Sequence, residues 1–315
     1  METRTLGVNG PLVSIIGLGC NNFGRPGSAT IDAAGTDAVI SAAIEAGITL
    51  LDTADIYNGG VSESLIGEVL GSRRDQVVLA TKFGHSGASA PGAEAWGPKG
   101  SASYVARACE ASLTRLRTDV IDVFQMHTPD AGTPVDETLG ALQSLVDAGK
   151  IRWYGHSNFS AAQMREAAGV ASEHGFDGFT SAQNHYSLLA RGIEDAELGA
   201  MNELGLGLLP YFPLANGLLT GKYAPGVPAP EGSRLASHPE RLEGVNWDAL
   251  ESFRAWCTES GLDMGQASIA WLLNQSPVTS VISGATTPAQ VARNAAAAGV
   301  RLDATQVASI GGIFA

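Results

Sequence analysis

The chain has 315 residues, 44% of them hydrophobic and 16% charged, a balance that excludes disorder and supports a sizeable core. Its formal charge of −13 offers no basic face to a phosphate backbone and argues against a nucleic-acid partner. The opening METRTLGVNG lacks a signal-peptide core and no apolar run approaches about 18 residues, so a cytoplasmic protein without a membrane span is expected.

In chain order, the turn chemistry of Asn9-Gly10-Pro11 inside TLGVNGPLVS predicts a short hairpin, placed to plug a barrel floor. Eight runs rich in Val, Ile and Leu follow, beginning with VSIIGLG at 13, ITLLDTA at 48, QVVLATK at 76 and VIDVFQMH at 120. The later four are IRWYGHSN at 151, GFTSAQNHY at 178, LGLLPYFPL at 206 and VTSVISGA at 278. Between them stand stretches of helical period, among them GTDAVISAAIEAG, SASYVARACEASLTRL, PVDETLGALQSLVDAGK and DMGQASIAWLLNQ. Eight strands alternating with helices satisfy closure into a (β/α)8 TIM barrel, whereas an open doubly wound sheet needs only about five or six. The expected architecture is α/β: a single barrel domain over residues 1–315 with an N-terminal β-hairpin. Two segments rich in Gly, Pro and Ser, 83–103 and 222–247, break the alternation and predict long active-site loops on the face where barrel sites form.

Polar residues punctuate the ends of these runs: Asp52, Lys82, His127, Ser157 with Asn158, Gln183 and Tyr211. In a closed parallel barrel all such ends open on one rim. Singly, each has an ordinary reading, with Asp52 a cap, Lys82 a solvated strand end and His127 a core imidazole bonded to backbone. Together with Tyr57 they make a proton-transfer set, in which a phenol whose pKa of about 10 is lowered by the Lys82 cation protonates a developing alkoxide. Asp52 would hold that ammonium and His127 would orient a carbonyl. Cys20, Cys109 and Cys257 are odd in number and dispersed, and the histidines lack HExxH spacing, so neither a disulfide framework nor a metal site is expected. GLGCNNFG places its third glycine too late for a dinucleotide fingerprint, and GLLTGKY lacks the spacing of a phosphate loop.

The ordered motifs DTADIY, ATK, QMH, GHSNF, AQNHYSLL, PLANGLLTGKY and GATTPAQVARN resemble those of the aldo-keto reductase superfamily over almost the whole chain. The resemblance implies a catalytic tetrad of Asp52, Tyr57, Lys82 and His127, and reversible hydride transfer between a nicotinamide dinucleotide and a carbonyl carbon without a metal. Tyr57 would be the acid in reduction and the base in oxidation. Ser157, Asn158 and Gln183 would bind the nicotinamide carboxamide and Tyr211 would stack on its ring. Gly19, Cys20 and Asn21, with Asp52, would approach the ribose. Pro213, Leu214, Gly217, Thr220 and Lys222 resemble the pyrophosphate segment, and Gly284, Thr286, Gln290 and Asn294 the adenosine end.

Thr286 and Gln290 stand where many relatives carry a basic residue, and Arg234 is the candidate to supply that charge instead. NADPH is accordingly the expected cofactor, with NADH the alternative. Phe23, Trp96 and Trp153 are candidate apolar walls for a small carbonyl or alcohol substrate, ordinary core or surface aromatics being the other reading. Beside the aldehyde or ketone reductase stand two alternatives: a sugar or alcohol dehydrogenase working oxidatively, and a nucleotide-binding redox-sensing accessory protein. The latter arises because potassium-channel beta subunits resemble the same family. Family resemblance also favours a monomer.

Overall fold

An antiparallel hairpin opens the chain, β1 (Thr3–Thr5) and β2 (Leu12–Ser14), with Thr3 opposite Ser14 and Thr5 opposite Leu12. Eight parallel strands follow in the computed structural model, which describes residues 1–231 and 233–315. They are β3 (Ile16–Gly19), β4 (Leu50–Asp52), β5 (Val78–Phe83), β6 (Ile121–Met126), β7 (Ile151–Ser157), β8 (Ser181–Gln183), β9 (Gly207–Leu208) and β10 (Val281–Gly284). Their order runs β10-β3-β4-β5-β6-β7-β8-β9. Residues just before β10 meet β9 across the remaining gap: the Leu208 amide donates to the Pro277 carbonyl at 3.0 Å, and the Thr279 amide to the Leu208 carbonyl at 2.9 Å. The sheet therefore curls back on itself as a (β/α)8 barrel, and all eight apolar runs of the sequence contribute a strand.

The helices are α1 (Ala33–Glu45), α2 (Val61–Leu70), α3 (Ala102–Leu116), α4 (Val135–Asp147), α5 (Ala161–His174), α6 (Glu197–Leu204), α7 (Trp247–Ser260), α8 (Met264–Leu273), α9 (Pro288–Ala296) and α10 (Ala304–Ile313). Local chemistry sets their ends. Ser160 caps α5 in a reciprocal box with Gln163, satisfying two backbone donors that the first turn leaves unpaired, and Gly175 closes the helix at a positive φ of 70°. Helix α8 is buried along its length because α7 and α9 flank it and α10 closes over Trp271, which donates its indole N–H to the Val307 carbonyl at 3.2 Å.

Strand alternation sorts the core into two regions. Leu51, Leu79, Phe124, Leu208 and Val281 point outward and pack against the helices. Leu50, Ala80, Val123, Leu209 and Ile282 point inward and form a separate apolar cluster inside the barrel. Leu6 and Val13, brought in by the hairpin, complete that inner cluster from below and are fully buried. The hairpin can approach this closely because position 7 is glycine: φ is +70°, and a Cβ there would stand 2.2 Å from the Thr180 carbonyl oxygen. The floor is thus plugged, as the turn chemistry predicts. At the opposite end, the loop after β5 is tied down by Lys99, which donates to the backbone carbonyls of His85 and Ala88. The loop after β9 is anchored by Arg254, which donates to the Gly221 carbonyl at 3.1 Å.

Candidate active site

Two residues above the inner apolar layer, the same strands place Asp52, Lys82 and Gln125, all pointing into the barrel. The period of two answers why an apolar strand ends in an acid: Leu50 and Asp52 share a face, one in the core layer and the next in the site. Lys82 is fully buried, and its ammonium is held by Asp52 Oδ2 at 2.6 Å, the Thr53 carbonyl at 2.8 Å and the Tyr57 hydroxyl at 3.4 Å. Asp52 Oδ1 accepts from Gln183 Nε2 at 2.9 Å and Gln125 Nε2 at 3.2 Å, so both carboxylate oxygens are satisfied inside the barrel. Tyr57 arrives from the turn after β4, and His127 from the end of β6, their rings edge to face at 5.9 Å and 81°. The four tetrad candidates therefore meet at the C-terminal mouth.

Burial and charge set the protonation states. Burial works against the Lys82 ammonium, but Asp52 and Tyr57 outweigh it and raise its pKa, so the side chain stays charged. Burial is also the largest influence on Tyr57 and holds the phenol above its ordinary range; Lys82 opposes this without overturning it. The expectation of a lowered phenol pKa is thus corrected for this structure, because desolvation exceeds the attraction of one ammonium already shared with Asp52. The phenol carries its proton at neutral pH. Burial, followed by the nearby Lys82, His85 and Lys99, depresses His127 to about 2, so it is a neutral imidazole.

Ser157, Asn158, Gln183 and Tyr211, the residues expected to meet a nicotinamide, form one linked group. Ser157 Oγ donates to the Gln183 carbonyl at 2.6 Å, Asn158 Nδ2 to Ser157 Oγ and to the His127 carbonyl at 3.0 Å each, and the Tyr211 hydroxyl to Asn158 Oδ1 at 2.9 Å. His185 backs the Tyr211 ring in parallel at 5.3 Å. The amide protons of Gln183 are both engaged, one by Asp52 and one by Gln125 Oε1 at 3.3 Å. Gln183 therefore offers a ligand only its carbonyl oxygen.

Gly19 and Asn21 lie beside Gly284, where a Cβ would stand 3.8 Å from the Gly19 carbonyl oxygen and 3.9 Å from Asn21 Oδ1. Cys20 is different: its amide donates to the Asp52 carbonyl and its carbonyl accepts from Phe23 N–H and Ser62 Oγ. With backbone groups engaged and thiol buried, Cys20 has nothing to give a ribose, which corrects that assignment. Pro213 and Leu214 lead into the turn Ala215–Thr220, where Ala215, Asn216 and Gly217 all take positive φ. A Cβ at Gly217 would stand 2.5 Å from Lys222 Cε, so the glycine lets the lysine fold over the turn; Thr220 Oγ1 closes it on the Gly217 carbonyl at 2.8 Å. Thr286 donates its amide and hydroxyl to Gln290 Oε1, and Asn294 Nδ2 its proton to the Gly284 carbonyl at 3.4 Å. Arg234 lies 5.0 Å over the Phe212 ring, itself edge-on to Tyr211.

The aromatic walls fare unevenly. Trp96 packs edge-on against Tyr104 at 5.5 Å in the loop after β5, half-buried. Phe23 has no exposed surface and belongs to the outer core, so it is not a wall of the mouth. Trp153 lies four residues before Ser157 on β7 and donates its indole N–H to the Asn9 carbonyl at 2.8 Å, which puts it at the plugged floor, away from the chemistry. A cleft of about 390 Å³ opens beside it there, between the hairpin and the start of β7. A second cleft, of about 360 Å³, lies at the mouth beside Asn158 and His185. Sequence reasoning missed Gln125 and His85. Gln125 was findable, being inward by the same period of two that places Val123 and His127. Among the described residues no cluster of His, Cys, Asp and Glu is arranged to hold a metal ion, and no helix is long and apolar enough to cross a membrane.

A buried acid, ammonium and imidazole and a half-buried phenol stand together at the mouth of a (β/α)8 barrel, and comparison with known proteins supplies the class: a barrel oxidoreductase. The Aldo/keto reductase family matches residues 15–314, and the chain belongs to that family of oxidoreductases. An uncharacterized oxidoreductase of Bacillus subtilis strain 168, YrpG, is 35% identical over 100% of this chain and 96% of its own length. A probable aldo-keto reductase 1 of Glycine max is 33% identical, covering 94% of this chain and 84% of its own. A probable voltage-gated potassium channel subunit beta of Oryza sativa subsp. japonica is likewise 33% identical, over 93% and 90%.

Proposed function

We propose that the protein reduces aldehydes or ketones to alcohols with NADPH, NADH being the alternative, and that Tyr57 donates the proton. The observation that carries this reading is the Lys82 ammonium, fully buried between Asp52 and the Tyr57 hydroxyl with His127 alongside. The residues around the mouth suit a dinucleotide. Lys222 and Arg234 form no ion pair among the described residues, although acidic side chains outnumber basic ones in the protein. The Tyr211 ring is braced for stacking by His185 and Asn158. When bound, the nicotinamide supplies the hydride.

The protein's part is positioning and proton transfer. The neutral His127 imidazole donates an N–H to the carbonyl oxygen and sets it against the Tyr57 hydroxyl. As negative charge develops on that oxygen, the phenol gives up its proton. Lys82, kept charged by Asp52, stabilises the phenolate that results. Gln125 and Gln183 hold Asp52 in place, so the lysine cannot swing away. Run backwards, the phenolate takes the proton of an alcohol, and the ratio of oxidised to reduced nucleotide sets the direction.

Tyr57→Phe and Lys82→Met test the assignment. Both variants should bind NADPH with near-parental affinity by fluorescence titration, yet reduce p-nitrobenzaldehyde at least about a hundredfold more slowly, the usual contribution of a positioned acid. Parental rates in both would refute the tetrad. The likeness to potassium-channel beta subunits supports a second reading, a nucleotide-binding accessory protein. A single slow turnover with retained nucleotide would favour it.

A further inference from the structure

Three rings stand in a row across the mouth. Tyr57 meets His127 edge-on, and His127 in turn meets His85 at 4.7 Å and 83°. Carbonyl reduction uses the first two rings and leaves the third without a task. His85 is nonetheless set with care. Its Nδ1 accepts the Gly87 N–H at 3.0 Å, which places the ring proton on Nε2 and leaves that N–H without an acceptor among the described residues. Lys99 grips the backbone carbonyls of His85 and Ala88, so the loop is fixed at this residue and the ammonium is engaged within the loop. Burial and then the Lys99 charge keep the His85 pKa below its ordinary value, so the imidazole is neutral.

A fixed neutral donor, next to the donor that meets the carbonyl, is placed to read a second oxygen on the same molecule. We infer that His85 determines specificity, its Nε2–H bonding a hydroxyl on the carbon beside the reacting carbonyl, so that α-hydroxy aldehydes and ketones are the favoured substrates. A substrate lacking the hydroxyl displaces water from Nε2–H and returns nothing, and such unpaired donors discriminate more strongly than apolar misfit does.

This inference rests on the reductase reading, so p-nitrobenzaldehyde reduction by the parent protein is measured first; its absence overturns that reading and the assignment with it. The test proper is the ratio of kcat/KM for glycolaldehyde to that for propanal, which differ by one hydroxyl in place of a methyl. His85→Phe keeps an aromatic edge on His127 but removes the donor, and should lower the ratio about tenfold, mainly through the KM for glycolaldehyde. His85→Gln, which restores an N–H, should stay within about threefold of the parent. Because both aldehydes are compared in each protein, hydration and any general loss of activity cancel. A ratio in His85→Phe within threefold of the parental one, or an equal fall in His85→Gln, overturns the assignment.

Discussion

Asp55 lies two residues before Tyr57, fully buried, and neither of its carboxyl oxygens has a hydrogen-bond partner among the described residues. Burial first, and then the neighbouring Glu63, push its pKa up to about 7; Arg115, the nearby Ile56 backbone N–H and Lys99 pull the other way. The Tyr104 hydroxyl, also buried without a partner, makes no bond to it, and Glu63 is already shared between Thr81 Oγ1 and Arg115. The folded protein therefore holds this proton up to about pH 7, whereas the unfolded chain releases it near pH 4. Between those values this group binds more proton in the folded state, so the stability that Asp55 itself contributes falls as pH rises, by at most about 4 kcal/mol, while the buried neutral His127 and His156 act in the opposite sense. Asp55→Asn should remove this contribution: across urea midpoints measured from pH 4 to 8, the variant should gain on the parent as pH rises, the histidines acting equally in both. Equal slopes would show that Asp55 is not the group that titrates.

At the scale of the elements, the hairpin is a structural plug rather than part of the site. Leu6 fills the inner apolar cluster from below, so Leu6→Ala should lower stability by about 2–5 kcal/mol, the range for a buried leucine that leaves a cavity. Aldehyde reduction at 25 °C should remain parental, since the polar layer lies one step above; a comparable loss of kcat would show that the floor and the mouth are coupled. The elements were legible in the sequence because every barrel strand buries both faces and so reads as an apolar run. The rim was legible because the run breaks at Asp52, Lys82 and His127. What sequence could not give is direction and commitment. Trp153 and Ser157 share one strand and one face but belong to opposite ends of the barrel. The backbone of Cys20 was taken up by Phe23, Asp52 and Ser62, contacts that only tertiary packing reveals. The phenol's raised pKa also depends on desolvation, which no spacing of residues encodes.

For the whole molecule, a formal charge of −13 repels a dinucleotide at long range, and binding must rest on cations concentrated at the mouth. Arg234 is the most confined of these. Burial, followed by the like charges of Arg25 and Arg241, lowers its pKa, a strain that an incoming phosphate would relieve. If Arg234 meets the 2′-phosphate, Arg234→Ala should weaken NADPH about tenfold or more while changing NADH less than threefold, as judged by fluorescence titration at fixed salt. Equal weakening of both would remove the phosphate contact. A vessel sealed at one end has a single doorway, so reactants and products pass the same threshold beneath the two overhanging segments. Reshaping those two segments should therefore alter pace and clientele while the machinery inside stays as it is.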